Sequence, residues 1–112
     1  MTDREMLELA AKAIGFDFQT CMETEKPCIV DMKGGGIFWN PLTDDGDALR
    51  LAVKLGIEIF HDLEVQEVST AFSINCPRLI GLNVSEAMGN DPYAATRRAI
   101  VRAAAEIGKS MP

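Results

Sequence analysis

The sequence predicts an α+β fold: a layered α/β/α sandwich of three helices and a mainly antiparallel sheet, in the order α-β-β-(β)-α-β-β-(β)-α. Three observations carry this expectation. Apolar residues recur at three- and four-residue spacing in three separate segments, each with its own start and stop signals. Between those segments the period falls to two, and short polar turns join neighbouring strands as hairpins, which makes the pairing antiparallel. Each helix must then bury one stripe, and one sheet offers two faces, so layers follow. The alternative places all the helices on one face.

The first helix is expected over residues 3–14. Thr2 and Glu5 form a T-x-x-E capping box, in which the hydroxyl accepts a first-turn N–H and the carboxylate reaches back. Met6, Leu9, Ala10 and Ala13 make its buried face, with Glu5, Glu8 and Lys12 on the wet side. Gly15 supplies the left-handed stop. The second helix, residues 44–55, puts Ala48, Leu51, Ala52 and Leu55 on one stripe, with Leu49 and Val53 at its margins and Gly56 as the stop. The third, residues 92–109, is capped by Asn90 or Asp91, with Pro92 in the first turn, where a missing N–H costs nothing. Its inward set is Tyr93, Ile100, Ala103, Ala104 and Ile107; Arg98, Arg102, Glu106 and Lys109 point outward.

The strands follow from alternation. "FDFQTCM" (16–22) and "PCIVDM" (27–32) flank the polar "ETEK" turn and read as a hairpin. A short strand at "IFW" follows the "GGG" turn at 34–36. "IEIFHD" (57–62) and "VQEVSTAF" (65–72) make a second hairpin, and "RLIGLNV" (78–84) is one more strand, placed at an edge by Pro77 and Gly81.

The totals fit one domain over residues 1–112. The hydrophobic fraction of 47% and charged fraction of 25% are those of a folded protein, not a disordered one. A net charge of -6 disfavours free nucleic acid as a partner and suits a basic protein surface better. The acidic start of "MTDREMLELAAKAIG" is unlike a signal peptide. No apolar run approaches the ~18 residues of a membrane span. The expected compartment is the cytoplasm, where three cysteines with no C-x-x-C fit reduced thiols.

Candidate chemistry is sparse. Asp44, Asp45 and Asp47 fail the calcium-loop pattern, because Gly46 is misplaced and no later acid completes it. They suit a helix start, where acids meet the positive end of the dipole. Trp39 reads as a core anchor before Asn40-Pro41, with ligand stacking as the competing role. His61 is the only histidine and lacks a neighbouring nucleophile or orienting acid, so it reads as a strand-end surface residue. A tight turn centred on residues 24 and 25 would set Cys21 opposite Cys28, close enough to bridge under oxidation. Cys76 stands alone. "GGG" matches neither phosphate-loop pattern. Arg97, Arg98 and Arg102 give a small basic face, which could meet phosphates or a partner's acids, against the plainer reading of a solvated helix face. No cofactor loop, metal set or nucleophile–base pair emerges.

Two segments, "WNPLTDDGDALRLAVKLGIEI" (39–59) and "NDPYAATRRAIVRAAAEIGKSM" (90–111), together resemble small proteins of tailed bacteriophages and prophages of Gram-negative bacteria. "REMLELAAKAIGF" suits them too. Some of those proteins are grouped as the phage ABA-sandwich family, whose layered helix–sheet–helix form agrees with the architecture expected here. Residues 60–88 depart from the shorter, more polar hairpin of that family. The resemblance brings no catalytic or ligand residues with it.

The resulting expectation is a phage or prophage accessory protein in the bacterial cytoplasm that works by binding a host or phage protein. The alternative is a small-molecule or nucleotide binder, or a minor enzyme, with a pocket near Trp39 and His61. A third reading has nucleic acid meeting Arg98 and Arg102. A homodimer by extension of an exposed edge strand, such as 78–84, is a further option.

Overall fold

A computed structural model describes residues 1–20, 26–30, 36–72 and 83–112. Among the described residues nine elements follow the expected order: α1 (Asp3–Ala13), β1 (Asp17–Thr20), β2 (Pro27–Val30), β3 (Gly36–Phe38), α2 (Asp45–Leu55), β4 (Glu58–Asp62), β5 (Glu67–Ala71), β6 (Asn83–Ala87) and α3 (Pro92–Ser110). The class is α+β, all pairing among the described strands is antiparallel, and helices and sheets stack in layers. The strands divide into two three-stranded sheets, β1-β2-β3 and β4-β5-β6, where a single sheet was expected. The hairpin rule decides which strands pair across a turn. It does not decide whether β3 continues into β4, and α2 intervenes between them.

The helix ends are built by local chemistry. Thr2 and Glu5 form the full capping box, with Glu5 N donating to Thr2 Oγ1 at 3.1 Å and Thr2 N to Glu5 Oε2 at 3.3 Å. Asp44 caps α2, and Asp91, not Asn90, caps α3. Gly56 takes φ 67° at the end of α2, a left-handed conformation that lets Ile57 N reach the Ala52 carbonyl at 2.9 Å.

α3 is the centre of the molecule. It packs against α1 and α2 and against β5 and β6. From Ala99 to Gly108 only Arg102 and Glu106 escape burial. α1 lies beside it and runs parallel to it: Asp3 meets Arg98, Leu9 meets Gly108, and Lys12 Nζ reaches the Met111 carbonyl at 3.1 Å. Small residues permit this approach. Ala10, Ala11, Ala103, Ala104 and Ala105 are buried, and a Cβ on Gly108 would overlap the Leu9 carbonyl. α1 buries Leu7 and Ala11 beyond the single stripe expected of it, because it packs against β1 as well as α3.

The register of sheet β1-β2-β3 sets Gln19 opposite Cys28 and Thr20 opposite Pro27. Cys21 is therefore not the residue opposite Cys28: the pairing is shifted by two from that of a turn centred on 24 and 25. Cys21 itself, Cys76 and most of the "GGG" turn lie outside the described residues, as do positions 78–82 of the expected last strand. β6, which shares Asn83 and Val84 with that expected strand, is an edge of its sheet among the described residues. Among the described residues no helix is long and apolar enough to cross a membrane.

Candidate functional site: a groove between α2, β4 and α3

The sheet β4-β5-β6 turns one face toward α3, and its register fixes the rows on that face. Ile59, Thr70 and Val84 lie side by side, as do His61, Val68 and Glu86. α3 runs over β5 and β6, so Val68 and Thr70 are fully buried and Val84 nearly so. The buried Thr70 hydroxyl donates to the Val84 carbonyl at 3.2 Å, so no polar group is stranded. Cover runs out at β4. Ile59 is half-buried and His61 is exposed.

That uncovered strip of β4 is the floor of a groove of about 330 Å³. One wall is the first half of α2, with Ala48 and Leu49; the other is the first half of α3, with Tyr93, Thr96 and Ile100. Asp45 and Arg97 join the two walls at one end. Arg97 Nη1 meets Asp45 Oδ1 at 2.6 Å, and its Nε donates to the Leu42 carbonyl at 2.9 Å. The guanidinium is thus held by the segment that leads into α2, and it sets the spacing of the helices.

Two sequence expectations change here. Tyr93, expected to face the core, is 72% exposed and lines the groove. It stands in the first turn of α3, before α1 and the sheet close over the helix. Leu49 and Val53, expected at the margin of the α2 stripe, are 60% and 72% exposed. They are four residues apart, so they form one apolar ridge on the outside of α2. Of the two, Leu49 lines the groove with Tyr93, and Val53 lies outside it.

Among the described residues the side chain that meets His61 is Thr96. The Thr96 hydroxyl donates its proton to the Pro92 carbonyl at 2.7 Å, so it accepts from His61 Nε2–H at 2.9 Å. We assign that tautomer, which leaves Nδ1 as the ring's acceptor. A general base needs a nucleophile or an oriented acid within reach. The partner found is a threonine whose proton is already committed. Asp62 turns away, as alternation requires, and its Oδ1 accepts the N–H groups of Glu64 and Val65 in the following turn. Trp39 is 5% exposed, packs edge-on against Phe18 with ring centroids 6.5 Å apart, and is not part of the groove. The structure therefore does not bring Trp39 and His61 into one pocket.

The remaining charged candidates brace the fold. Asp44 Oδ2 accepts Asp47 N at 2.8 Å as the cap of α2. Asp47 accepts Asn40 N at 3.0 Å and Arg50 Nη2 at 2.7 Å, and Asn40 Oδ1 accepts Leu42 N at 3.1 Å. With Asp45 on Arg97, each acid of the cluster has a structural partner. Among the described residues no three His, Cys, Asp or Glu side chains stand together as a metal set. Arg102 Nη1 meets Glu86 Oε1 at 2.6 Å and the Ser85 carbonyl at 3.1 Å, while Arg98 meets Asp3 at 3.2 Å and Glu86 at 3.6 Å. The expected basic face is matched by its own carboxylates and ties α3 to β6 and α1. A second, wider cleft of about 790 Å³ lies between α1, β1 and the segment before α2. Its cation, Arg4, is held by Glu8 at 3.0 Å and Thr20 at 2.7 Å and stacks on Phe18.

The groove was not legible as a site beforehand. Its sequence signals were His61, named with Trp39 as a candidate pocket residue, and Leu49, a large apolar residue outside the main stripe of α2. No family model, curated protein or solved structure matches the chain.

Proposed function

We propose that this protein acts by binding another protein, and that the groove between α2, β4 and α3 is where it does so. One observation carries the reading: Leu49 and Tyr93 are held exposed on facing walls of one apolar groove. Exposing such side chains forgoes roughly 1.5–3 kcal/mol each of burial free energy. A fold with buried alanines elsewhere recovers that loss most directly through a partner that covers them. The acidic total charge and the resemblance to accessory proteins of tailed phages and prophages favour a host or phage protein in the bacterial cytoplasm as that partner.

The test is affinity capture from lysate of phage-infected Gram-negative cells, with native protein and the Leu49→Asp variant side by side. The reading expects a protein retained by the native chain and lost by the variant. Equal retention by both, or retention of nothing, would overturn it. The small-molecule alternative loses the Trp39 half of its pocket, since that ring is buried in the core.

A further inference from the structure

The sheet β4-β5-β6 has a second face. α3 packs on the side that carries Val68 and Thr70, and alternation turns Glu58, Phe60 and Asp62 of β4 the other way. Phe60 is the large apolar residue of that outer face, and its ring is 56% exposed. Ser69 and Ser85 complete its row, with their hydroxyls 3.1 Å apart, so no bulky neighbour stands beside it.

Carboxylates surround the ring. Glu58 and Asp62 lie two residues to either side of it along β4, about 7 Å away, and Glu67 stands directly opposite Asp62. All three are exposed. Among the described residues no cation pairs with any of them. The sequence holds no lysine or arginine between Lys54 and Arg78. Like charges directly across a strand pair are unfavourable, so Asp62 and Glu67 favour a cation from outside. Asp62 commits Oδ1 to the N–H groups of Glu64 and Val65, and its Oδ2 has no partner among the described residues.

The other phenylalanines show what Phe60 lacks. Lys54 stands 5.5 Å from the ring centre of Phe16, Arg4 5.5 Å from that of Phe18, and Lys26 5.8 Å from that of Phe38. Phe72 packs against the core. Phe60 is the exposed ring over which the described residues place no cation, although carboxylates flank it on both sides.

We propose that this outer face binds an arginine of a partner protein, with the guanidinium over Phe60 and between the carboxylates of Glu58 and Asp62. Arginine fits better than lysine, because its planar, weakly hydrated group stacks on a ring while its N–H groups reach a carboxylate. The three acids repel nucleic acid and anionic membrane from the same face. The contact lies on the opposite side of β4 from the groove, so it is a second site and is tested without the first.

NMR titration of the native protein with the capped tripeptides GRG, GKG and GQG at low salt tests this, read at the Phe60 ring and at the amides of Ser69 and Ser85. GRG should give saturable shifts, GKG should bind more weakly, GQG should give none, and added salt should weaken GRG. Phe60→Leu keeps an apolar side chain without a π face and should weaken GRG about two- to fivefold. Asp62→Asn keeps the Oδ1 acceptor of the turn, removes the charge, and should weaken GRG by a similar factor. Tyr93→Ser, in the groove, should leave GRG binding unchanged. These side chains are exposed, so the variants keep the fold, which their amide spectra verify. Absence of a saturable GRG shift, equal shifts with GQG, or full affinity in Phe60→Leu would overturn the proposal. Equal affinity for GKG would overturn the choice of arginine. The groove reading keeps its own test in the lysate capture with Leu49→Asp.

Discussion

The two halves of α3 solve opposite problems. From Ala99 to Gly108 the helix is enclosed by α1, the sheet and α2, and it buries Ile100, Val101 and Ile107 beside its alanines and Gly108. From Pro92 to Arg98 it carries a tyrosine in water and borders a cleft. The contrast is one of cover: Ile100, Val101 and Ile107 are large and buried, while Tyr93 stays in water. The first half of the comparison is scaffold; the second is surface that we assign to a partner.

Substitutions can break this division or sharpen it. The largest effect is expected on α2, where Leu51 and Leu49 sit two residues apart on opposite sides of the contrast. Leu51 is 2% exposed, so Leu51→Ala should cost about 2–5 kcal/mol in a urea titration. Next comes Gly108→Ala. Helix propensity alone would favour alanine by up to ~1 kcal/mol. The new Cβ overlaps a backbone carbonyl of α1, which cannot rotate away, so a net loss of about 1–3 kcal/mol is expected from overpacking. A neutral or stabilising result would mean that α1 and α3 are not packed this tightly. Asp44→Ala removes the cap of α2 and should cost about 1 kcal/mol, read as a lower melting temperature. The smallest effect on stability belongs to Leu49→Asp, which should fall within about 0.5 kcal/mol of the native chain. A large loss there would place Leu49 in the scaffold and remove the distinction.

How much of this was legible beforehand depends on the range of the physics involved. Caps and stops act over three or four residues, so Thr2 with Glu5, Asp91 before Pro92, and Gly56 could be read directly. The hairpins β1–β2 and β4–β5 followed from alternation and short turns. What failed was non-local. Apolar periodicity says that a residue can be buried, not that a neighbour arrives to bury it; Tyr93 shows the difference. Cys28 was paired with the wrong residue because alternation fixes which face a residue occupies, and a shift by two preserves the face. Arg98 and Arg102 looked like a free basic surface because their acids, Glu86 and Asp3, come from β6 and α1, far along the chain. The groove itself exists only once α2 and α3 are set apart over β4, and no local pattern encodes that spacing.

The central claim is that the capture that depends on Leu49 happens on the α2–β4–α3 face. Methyl NMR of the protein, titrated with a peptide or partner whose capture depends on Leu49, tests it most directly. The account predicts that the methyl signals of Leu49, Ile59 and Ile100 move together and saturate together, while those of Leu7, Ile29 and Ile37 stay in place. Movement confined to Ile29 and Ile37, on the β1-β2-β3 sheet, would contradict it.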